Sequence, residues 1–295
     1  MQTKEEFLNF VRQNIFPELE KEESNRKKNI YIWKWGMYLL SVIIVVLLWN
    51  KCSDKSDVLY PAILPIIIGG MVLVTYKNKL KKKFYNNILD KLGFFPDKKI
   101  TNAIVNKLEK NYLLPNHNVR KHDDSFSKKI EDVTLSVLDT KLILKTGSGK
   151  RQSSRTVFEG LIIMFQLEKD YPADTVLYGK KYTLFNSAPK DSWERVTLED
   201  PDFNKQYYVY SENQIAVRRL LKPAFMECLK EIETVYKTPA NILFEKNNIM
   251  LTLNTRRDMF EFIDINKNMA REEPFIEFYD QISALIKLKN ILKLD

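Results

Sequence analysis

Between Tyr31 and Tyr76 the chain is almost continuously apolar, in two runs, Trp33–Trp49 and Val58–Tyr76, separated by the seven residues Asn50–Ser56. At 1.5 Å per residue each run can cross the roughly 30 Å of hydrocarbon in a bilayer, and a helix is the form that satisfies its own backbone there. The pattern therefore predicts a two-helix hairpin. Trp33, Trp35, Tyr38 and Trp49 stand near the ends of the first run, where amphipathic rings favour the headgroup zone. Pro61, Pro65 and the pair Gly69-Gly70 predict a kink near the middle of the second. Neither run carries Asp, Glu, Arg or His, so conduction of ions by these two helices alone is not expected.

On both sides of the hairpin the apolar positions recur at helical spacing. Thr3 and Glu6 have the spacing of a capping box, and Phe7, Leu8, Val11, Ile15 and Leu19 follow on one face. The polar face, with Lys4, Glu5, Glu6 and Arg12, nearly cancels in charge. It predicts packing against protein, the hairpin's own cytoplasmic end or another copy, in preference to anionic lipid. Glu18–Asn29 reads as a charged, solvated extension of this helix. After Tyr76 the stripe Leu80, Phe84, Tyr85, Ile88, Leu89 and Leu92 continues the second helix as a stalk that stops at Gly93. Thr101 opens a short helix over 100–112, with Ile104, Val105, Leu108 and Tyr112 on one face. Pro115 and the polar stretch Asn116–Ser127 read as a loop before a globular domain.

From Ile130 the period becomes two. Val133, Leu135 and Val137 alternate before a turn expected at Asp139-Thr140, and Leu142–Lys145 returns as a second strand. Gly147–Arg155 is a loop, Thr156–Leu167 a long strand, and further strands are expected at Tyr182–Phe185, Trp193–Leu198 and Gln206–Tyr210. Gln214–Leu221 and Pro223–Tyr236 read as helices, the second with proline in its first turn. Asn241–Glu245 and Asn248–Leu253 flank Lys246-Asn247 as a hairpin, Met259–Ile265 is ambiguous, and Pro274–Leu294 is a closing amphipathic helix. The order predicts an α+β protein: a transmembrane helical hairpin, then a domain with a mainly antiparallel sheet covered by helices on one face. The divisions are 1–30 for the N-terminal helix and its extension, 31–76 for the hairpin, 77–120 for the basic stalk, and 121–295 for the α+β domain.

Charge adds a topology. The chain carries a net +9, and much of the excess flanks the hairpin: Arg26, Lys27 and Lys28 before it, and Lys77, Lys79, Lys81, Lys82 and Lys83 after it. The intervening loop has only Lys51 and Lys55, offset by Asp54 and Asp57. Because basic residues are retained on the cytoplasmic side, both termini are expected there. The five lysines after the hairpin are candidate lipid-headgroup contacts. About thirty polar and charged residues precede the first run, which argues against a cleaved signal peptide. Cys52 follows Trp49-Asn50-Lys51, without the small residues of a lipid-modification site. Cys52 and Cys228 fall on opposite sides of the membrane, so no disulfide framework is expected.

One stretch resembles a known family. Trp193-Glu194-Arg195-Val196-Thr197-Leu198-Glu199-Asp200-Pro201-Asp202-Phe203 is followed by Tyr207-Tyr208-Val209-Tyr210-Ser211, and then by Ala216 through Leu220-Leu221-Lys222-Pro223-Ala224-Phe225-Met226. With Phe158-Glu159-Gly160 upstream, this is similar to the bacterial domain of unknown function 3137 family, over about Asp123–Ile265. The resemblance implies an integral membrane protein with a cytoplasmic domain; it implies no reaction, cofactor or catalytic residue. Read physically, Glu199-Asp200-Pro201-Asp202 is a tight loop whose carboxylates accept backbone or arginine hydrogen bonds, with Phe203, Tyr207 and Val209 facing the core. Val217, Leu220, Leu221, Phe225 and Met226 are core positions that leave Arg218 and Arg219 at the edge. Arg218, Arg219, Glu199, Asp200 and Asp202 are the candidate recognition surface.

Other constellations are weaker. His117, His122, Asp123 and Asp124 have metal-binding side chains, but their spacing matches no common zinc or di-metal motif. Gly147-Ser148-Gly149-Lys150 lacks the earlier glycine of a phosphate loop, with Leu144 in its place, and Arg151 stands where Ser or Thr is needed. There is no GxSxG, HExxH or CxxC pattern, so nucleophilic triads are nearly excluded. No catalytic residue, metal ligand or cofactor is assigned. Basic and acidic residues are interspersed and no nucleic-acid module is present, so the charge is assigned to the membrane. The expected function is a membrane-anchored binding or scaffolding module whose partners are the bilayer and either a protein or a second copy. The alternative is an enzyme on a membrane-proximal or phosphorylated substrate, working through Asp123, Asp124, Glu199, Asp200 and Asp202 with or without a metal.

Overall fold

A computed structural model describes residues 3–49, 58–97, 100–180 and 189–292, without the side chain of Lys150. The expected strand Tyr182–Phe185 and the inter-helix loop with Cys52 lie outside these residues. The chain divides into two compact units, Met1–Leu92 with Glu261–Phe278, and Gly93–Phe260 with Tyr279–Asp295.

The first unit is a long antiparallel helix pair. Helix α1 runs without a break over Lys4–Trp49, through two wider π-type stretches at Val11–Ile15 and Tyr31–Gly36, and α2 runs over Leu59–Leu92. Both are long and apolar enough to cross a membrane. The predicted capping box starts α1: the Thr3 hydroxyl accepts from the Glu6 N–H (3.3 Å), and the Glu6 carboxylate accepts from the Thr3 N–H (2.9 Å). Helix α2 continues through Pro65 and stops before Gly93, whose φ of +72° is the left-handed conformation that favours glycine.

Contacts climb the two helices in step. Lys91 lies over the Phe10 ring (5.0 Å), Lys83 pairs with Glu18 (3.1 Å), and the Ser41 hydroxyl donates to the Ala62 carbonyl. At Gly69 a Cβ would stand 2.1 Å from the Trp33 carbonyl oxygen, so only glycine lets the backbones approach this closely. Ala62, Pro65 and Gly69 form the narrow buried face of α2 in this part. The expectation that the N-terminal helix packs on protein holds: Phe7, Val11, Ile15 and Leu19 are buried, as are Leu80, Phe84, Ile88 and Leu89. Segment 261–278 packs on both helices. Arg26 donates to the Ile265 carbonyl (2.7 Å), Phe275 meets Phe16 edge-on (5.8 Å), and Phe262 stacks on Tyr85 (6.0 Å). Glu272 accepts two hydrogen bonds from Arg12 (2.6 and 3.1 Å). The solvated reading of Glu18–Asn29 is corrected at Leu19 and Arg26, which are buried. The Arg26 charge is matched by Glu23 at 2.5 Å.

The second unit is α+β, as expected. Among the described residues its sheet has nine strands: β1 Phe95–Pro96, β2 Val119–Ile130, β3 Val133–Thr146, β4 Ser153–Gln166, β5 Thr175–Gly179, β6 Glu194–Val196, β7 Tyr207–Ser211, β8 Asn241–Glu245 and β9 Asn248–Leu253. All pairings are antiparallel, in the order β1-β2-β3-β4-β9-β8-β5-β7-β6. The helices are α3 Asn102–Lys110, α4 Pro201–Gln206, α5 Gln214–Leu220, α6 Pro223–Tyr236 and α7 Glu273–Ile291, the last running from Tyr279 onward in this unit. Alternate strand residues point to opposite faces. One face, with Leu138, Ile162, Val176, Leu243 and Met250, is covered by Val105 and Leu108 of α3. The other carries Phe244, against which Tyr171 (5.2 Å) and Phe225 of α6 (5.8 Å) pack, and the Tyr236 hydroxyl ties α6 to the Gln281 carbonyl of α7 (2.9 Å). Helices thus lie on both faces, one more than the sequence pattern suggested.

Two readings are corrected. The polar stretch assigned to a loop, Asn116–Ser127, contributes most of β2, which pairs with β3 around a register shift between His122 and Ser125. β1 covers it only at Phe126 and Ser127, so it is largely solvated and never needed an apolar alternation. The turn expected at Asp139-Thr140 is the middle of the 14-residue strand β3. Both residues are buried, and their polar atoms have partners that a turn would otherwise supply: Asp139 accepts from the Met259 N–H (2.7 Å), and the Thr140 hydroxyl donates to the Lys121 carbonyl (3.2 Å).

Candidate functional site

The motif loop is rigid because it bonds itself. Asp200 is the N-cap of α4, its carboxylate accepting from the N–H groups of Asp202 (2.8 Å) and Phe203 (3.1 Å), and Pro201 occupies the first helical position. The Asn204 amide closes the loop, accepting from the Leu198 N–H (3.0 Å) and donating to the Leu198 carbonyl (2.6 Å). Phe203, Tyr207 and Val209 are buried as expected, Phe203 stacking on Tyr207 at 4.8 Å. Val217, Leu221, Phe225 and Met226 are buried too, while Leu220 is half-buried.

This corner borders a cavity of about 390 Å³ between the loop and helices α5 and α6. Its apolar lining comes from Leu198, Leu221, Pro223 and Met226, and its charged rim from Glu199, Asp200, Arg218, Glu227 and Lys230. Three of the five expected recognition residues, Glu199, Asp200 and Arg218, are thus brought together. Arg219 and Asp202 are exposed and do not line the cavity, and Asp202 pairs locally with Lys205 (2.9 Å). That pairing holds the Asp202 carboxyl below its ordinary range. Lys230 and Glu227 were missed, because they lie on the α6 face opposite the apolar positions and read as solvated. Lys230 sits 3.5 Å from Glu227 and 3.9 Å from Asp200, whereas Arg218 and Glu199 have no ion-pair partner among the described residues.

The lysines after the hairpin sort into two groups. Lys77 and Lys81 both pair with Glu261, Lys81 at 2.6 Å, and Lys83 pairs with Glu18. Lys81 is buried, so it does not face a headgroup, which corrects its place among the expected lipid contacts. Lys79 and Lys82 are exposed and have no partner among the described residues.

The two histidines are divided. Arg120 donates to Nε2 of His117 (2.7 Å), and Nδ1 donates to the Pro115 carbonyl (2.9 Å), so both ring nitrogens are occupied by structural bonds. His122 lies on β2 beside Asp123 and lines a second cavity, of about 240 Å³, with Asp139, Lys141, Glu159 and Asp258. The Thr140 hydroxyl spends its proton on the Lys121 carbonyl, so Nδ1 of His122 donates to it (2.9 Å) and Nε2 is left as the acceptor. Partial burial, then Arg120 and His117, lower the pKa of this imidazole and so favour its neutral form. Lys141 pairs with Glu159 at 2.8 Å. The Gly147-Ser148-Gly149-Lys150 run is the β3–β4 connection, with a single 3-10 turn at Gly149–Arg151 and no following helix to receive a phosphate. Buried Cys228 has its thiol pushed up to about 11 by desolvation, which makes it a poor nucleophile.

The Phe158-Glu159-Gly160 signature has a backbone explanation. Gly160 adopts φ +150°, and a Cβ there would stand 2.1 Å from the Leu253 carbonyl oxygen. The end of β9 crosses β4 at this point, with the Arg256 N–H donating to the Glu159 carbonyl (2.8 Å).

Fold and site together define an α+β domain with a charged-rim cavity, in a chain that also carries a helical hairpin with two candidate membrane spans. Residues 156–294 match the family model described as "Protein of unknown function (DUF3137)", the family whose motifs the sequence resembles. The match begins later and ends later than the stretch read from the motifs. No curated protein matches the chain. Among solved structures it is similar to the crystal structure of the mycobacterial trehalose monomycolate transport factor A, TtfA, at 8% identity over 69% of this chain and 89% of that one, with a TM-score of 0.39.

Proposed function

We propose that this chain is a bacterial inner-membrane protein in which the hairpin holds a binding or scaffolding domain at the cytoplasmic face. The reading rests on one observation: the same helix pair buries its apolar residues at one end and exposes them at the other. Tyr31, Leu39, Val46, Leu47, Leu59, Leu64, Met71 and Val74 are all exposed, in a belt far larger than soluble surfaces carry. A bilayer covers such a belt without cost, and the flanking lysines orient both termini to the cytoplasm.

In this reading the cavity at the motif corner is the recognition surface. Its partner is a protein segment that places an apolar side chain over Leu221 and Met226 and a carboxylate against Arg218, the rim cation left unpaired. The test is photo-crosslinking from position 199 in the full-length protein in its native membrane. Arg218→Glu is expected to abolish the discrete cross-linked bands while leaving the melting temperature unchanged. Bands that persist in the variant contradict the assignment.

A second reading, a metal-assisted enzyme, is favoured by the approach of His122, Asp123 and Asp258 around one cavity. It predicts that Mn²⁺ or Zn²⁺ raises the melting temperature and that Asp123→Asn removes the rise. No shift in the wild-type chain argues against it.

A further inference from the structure

The hairpin unit separates its basic residues by partner. Lys77, Lys81 and Lys83 are spent on Glu261 and Glu18, and Arg26 on Glu23. Lys28 on α1 and Lys79 and Lys82 on α2 are exposed, with no ion pair among the described residues. The two helices run in step, with Phe10 beside Lys91 and Trp33 beside Gly69, so residue 28 of α1 stands level with the mid-70s of α2. These three lysines therefore lie at or just below the edge of the exposed belt, which begins at Tyr31 on α1 and ends at Val74 on α2. At 1.5 Å per residue, Lys28 stands at the level of Val74, about 5 Å from Tyr31 along its own helix, while Lys79 and Lys82 fall about 8 and 12 Å below Val74. The headgroup layer is roughly 5–8 Å thick on each side, and a surface potential reaches a further 8–10 Å at physiological salt.

We infer that Lys28, Lys79 and Lys82 form an anionic-lipid site at the cytoplasmic rim of the hairpin, selecting phosphatidylglycerol-type headgroups from the surrounding bilayer. This rests on the membrane reading above. The site uses charge complementarity continuous with the apolar belt: three mobile ammonium groups on two rigidly paired helices, offered at the depth of the lipid phosphates. The internally paired lysines of the same cluster take no part, because their charge is already neutralised by Glu261 and Glu18. Each ammonium near such a surface contributes about a fivefold preference at low salt, and the preference collapses near 1 M salt, where the screening length falls to about 3 Å.

The experiment reconstitutes the full chain into phosphatidylcholine vesicles with a fixed small fraction of brominated lipid, and reads the quenching of tryptophan fluorescence. Quenching by brominated phosphatidylcholine reports insertion and tests the membrane reading by itself. Stronger quenching by brominated phosphatidylglycerol at the same mole fraction reports the site. The expected result is a severalfold excess for the anionic lipid, lost in K28Q/K79Q/K82Q and kept in K110Q/K169Q/K222Q, which removes the same charge from exposed positions of the sheet unit. An excess that survives the first triple variant, or that falls equally in both, overturns the inference while the insertion signal stands. Absence of quenching by either lipid overturns the membrane reading, and the inference with it.

Discussion

The two ends of the helical hairpin have the same secondary structure and opposite surfaces. In the inner end, residues 4–30 and 77–92, apolar residues form one buried stripe per helix, and the polar faces are tied by ion pairs such as Lys83–Glu18 and Arg12–Glu272. In the outer end, residues 31–49 and 59–76, apolar residues surround both helices, and the buried contact has shrunk to Ser41, Ala62, Pro65 and Gly69. The difference follows from the solvent each end requires. Water rewards burying large apolar side chains, so the inner end packs with Phe84 and Ile88. In the proposed bilayer setting lipid gives no such reward, which accords with an outer end that packs through small residues that let backbones approach.

That contrast predicts which substitutions matter. The largest effect is expected from Phe84→Ala, which empties a fully buried inner position and should cost about 3–5 kcal/mol in thermal unfolding of the detergent-solubilised chain. Next comes Gly69→Leu, which drives a side chain into the Trp33 carbonyl. It should cost about 1–3 kcal/mol or more, whereas the same change at Gly70, where a Cβ meets nothing within 4 Å, should leave the melting temperature unchanged. Equal effects at both glycines would break the account of the outer contact.

A smaller, pH-dependent effect belongs to Glu23. The hydrogen bond from Arg26 holds its carboxyl below the ordinary range, so its contribution is present above the unfolded-state value of about 4.3 and is lost as the pH falls through the lower folded value. The melting-temperature difference between wild type and Glu23→Gln should therefore be largest near neutrality, begin to shrink near the unfolded-state value of about 4.3, and close only below the lower folded value. The smallest effect is expected from Leu47→Ala, on the exposed belt, at no more than about 0.5 kcal/mol.

Most of the hairpin was legible in the sequence, because an uninterrupted apolar run and a 3.6-residue stripe are local signals. The capping box at Thr3, the stop at Gly93, and the hairpin around Lys246-Asn247 were legible for the same reason. β5 was not: Thr175–Gly179 is buried at every position, so it shows no alternation, and five residues are too few to identify without their neighbours. β2 failed in the opposite way, being too polar to look like a strand. At the cavity, Glu199, Asp200 and Arg218 were found because the motif lists them in order, but Lys230 comes from a helix that reaches the same corner only through the fold. The pairing of Lys77 and Lys81 with Glu261, some 180 residues away in sequence, carries no local signal at all.

The central claim is that the exposed belt spans a bilayer with both termini on the cytoplasmic side. Its most direct test uses the chain's two cysteines without mutation. Cys228 is buried and its thiol is held protonated, so it should stay silent to maleimide until the protein is denatured. Cys52 should then be the sole reporter. A membrane-impermeant maleimide added to intact spheroplasts is predicted to label the chain once, at Cys52; labelling of Cys52 only after the membrane is broken would contradict the topology.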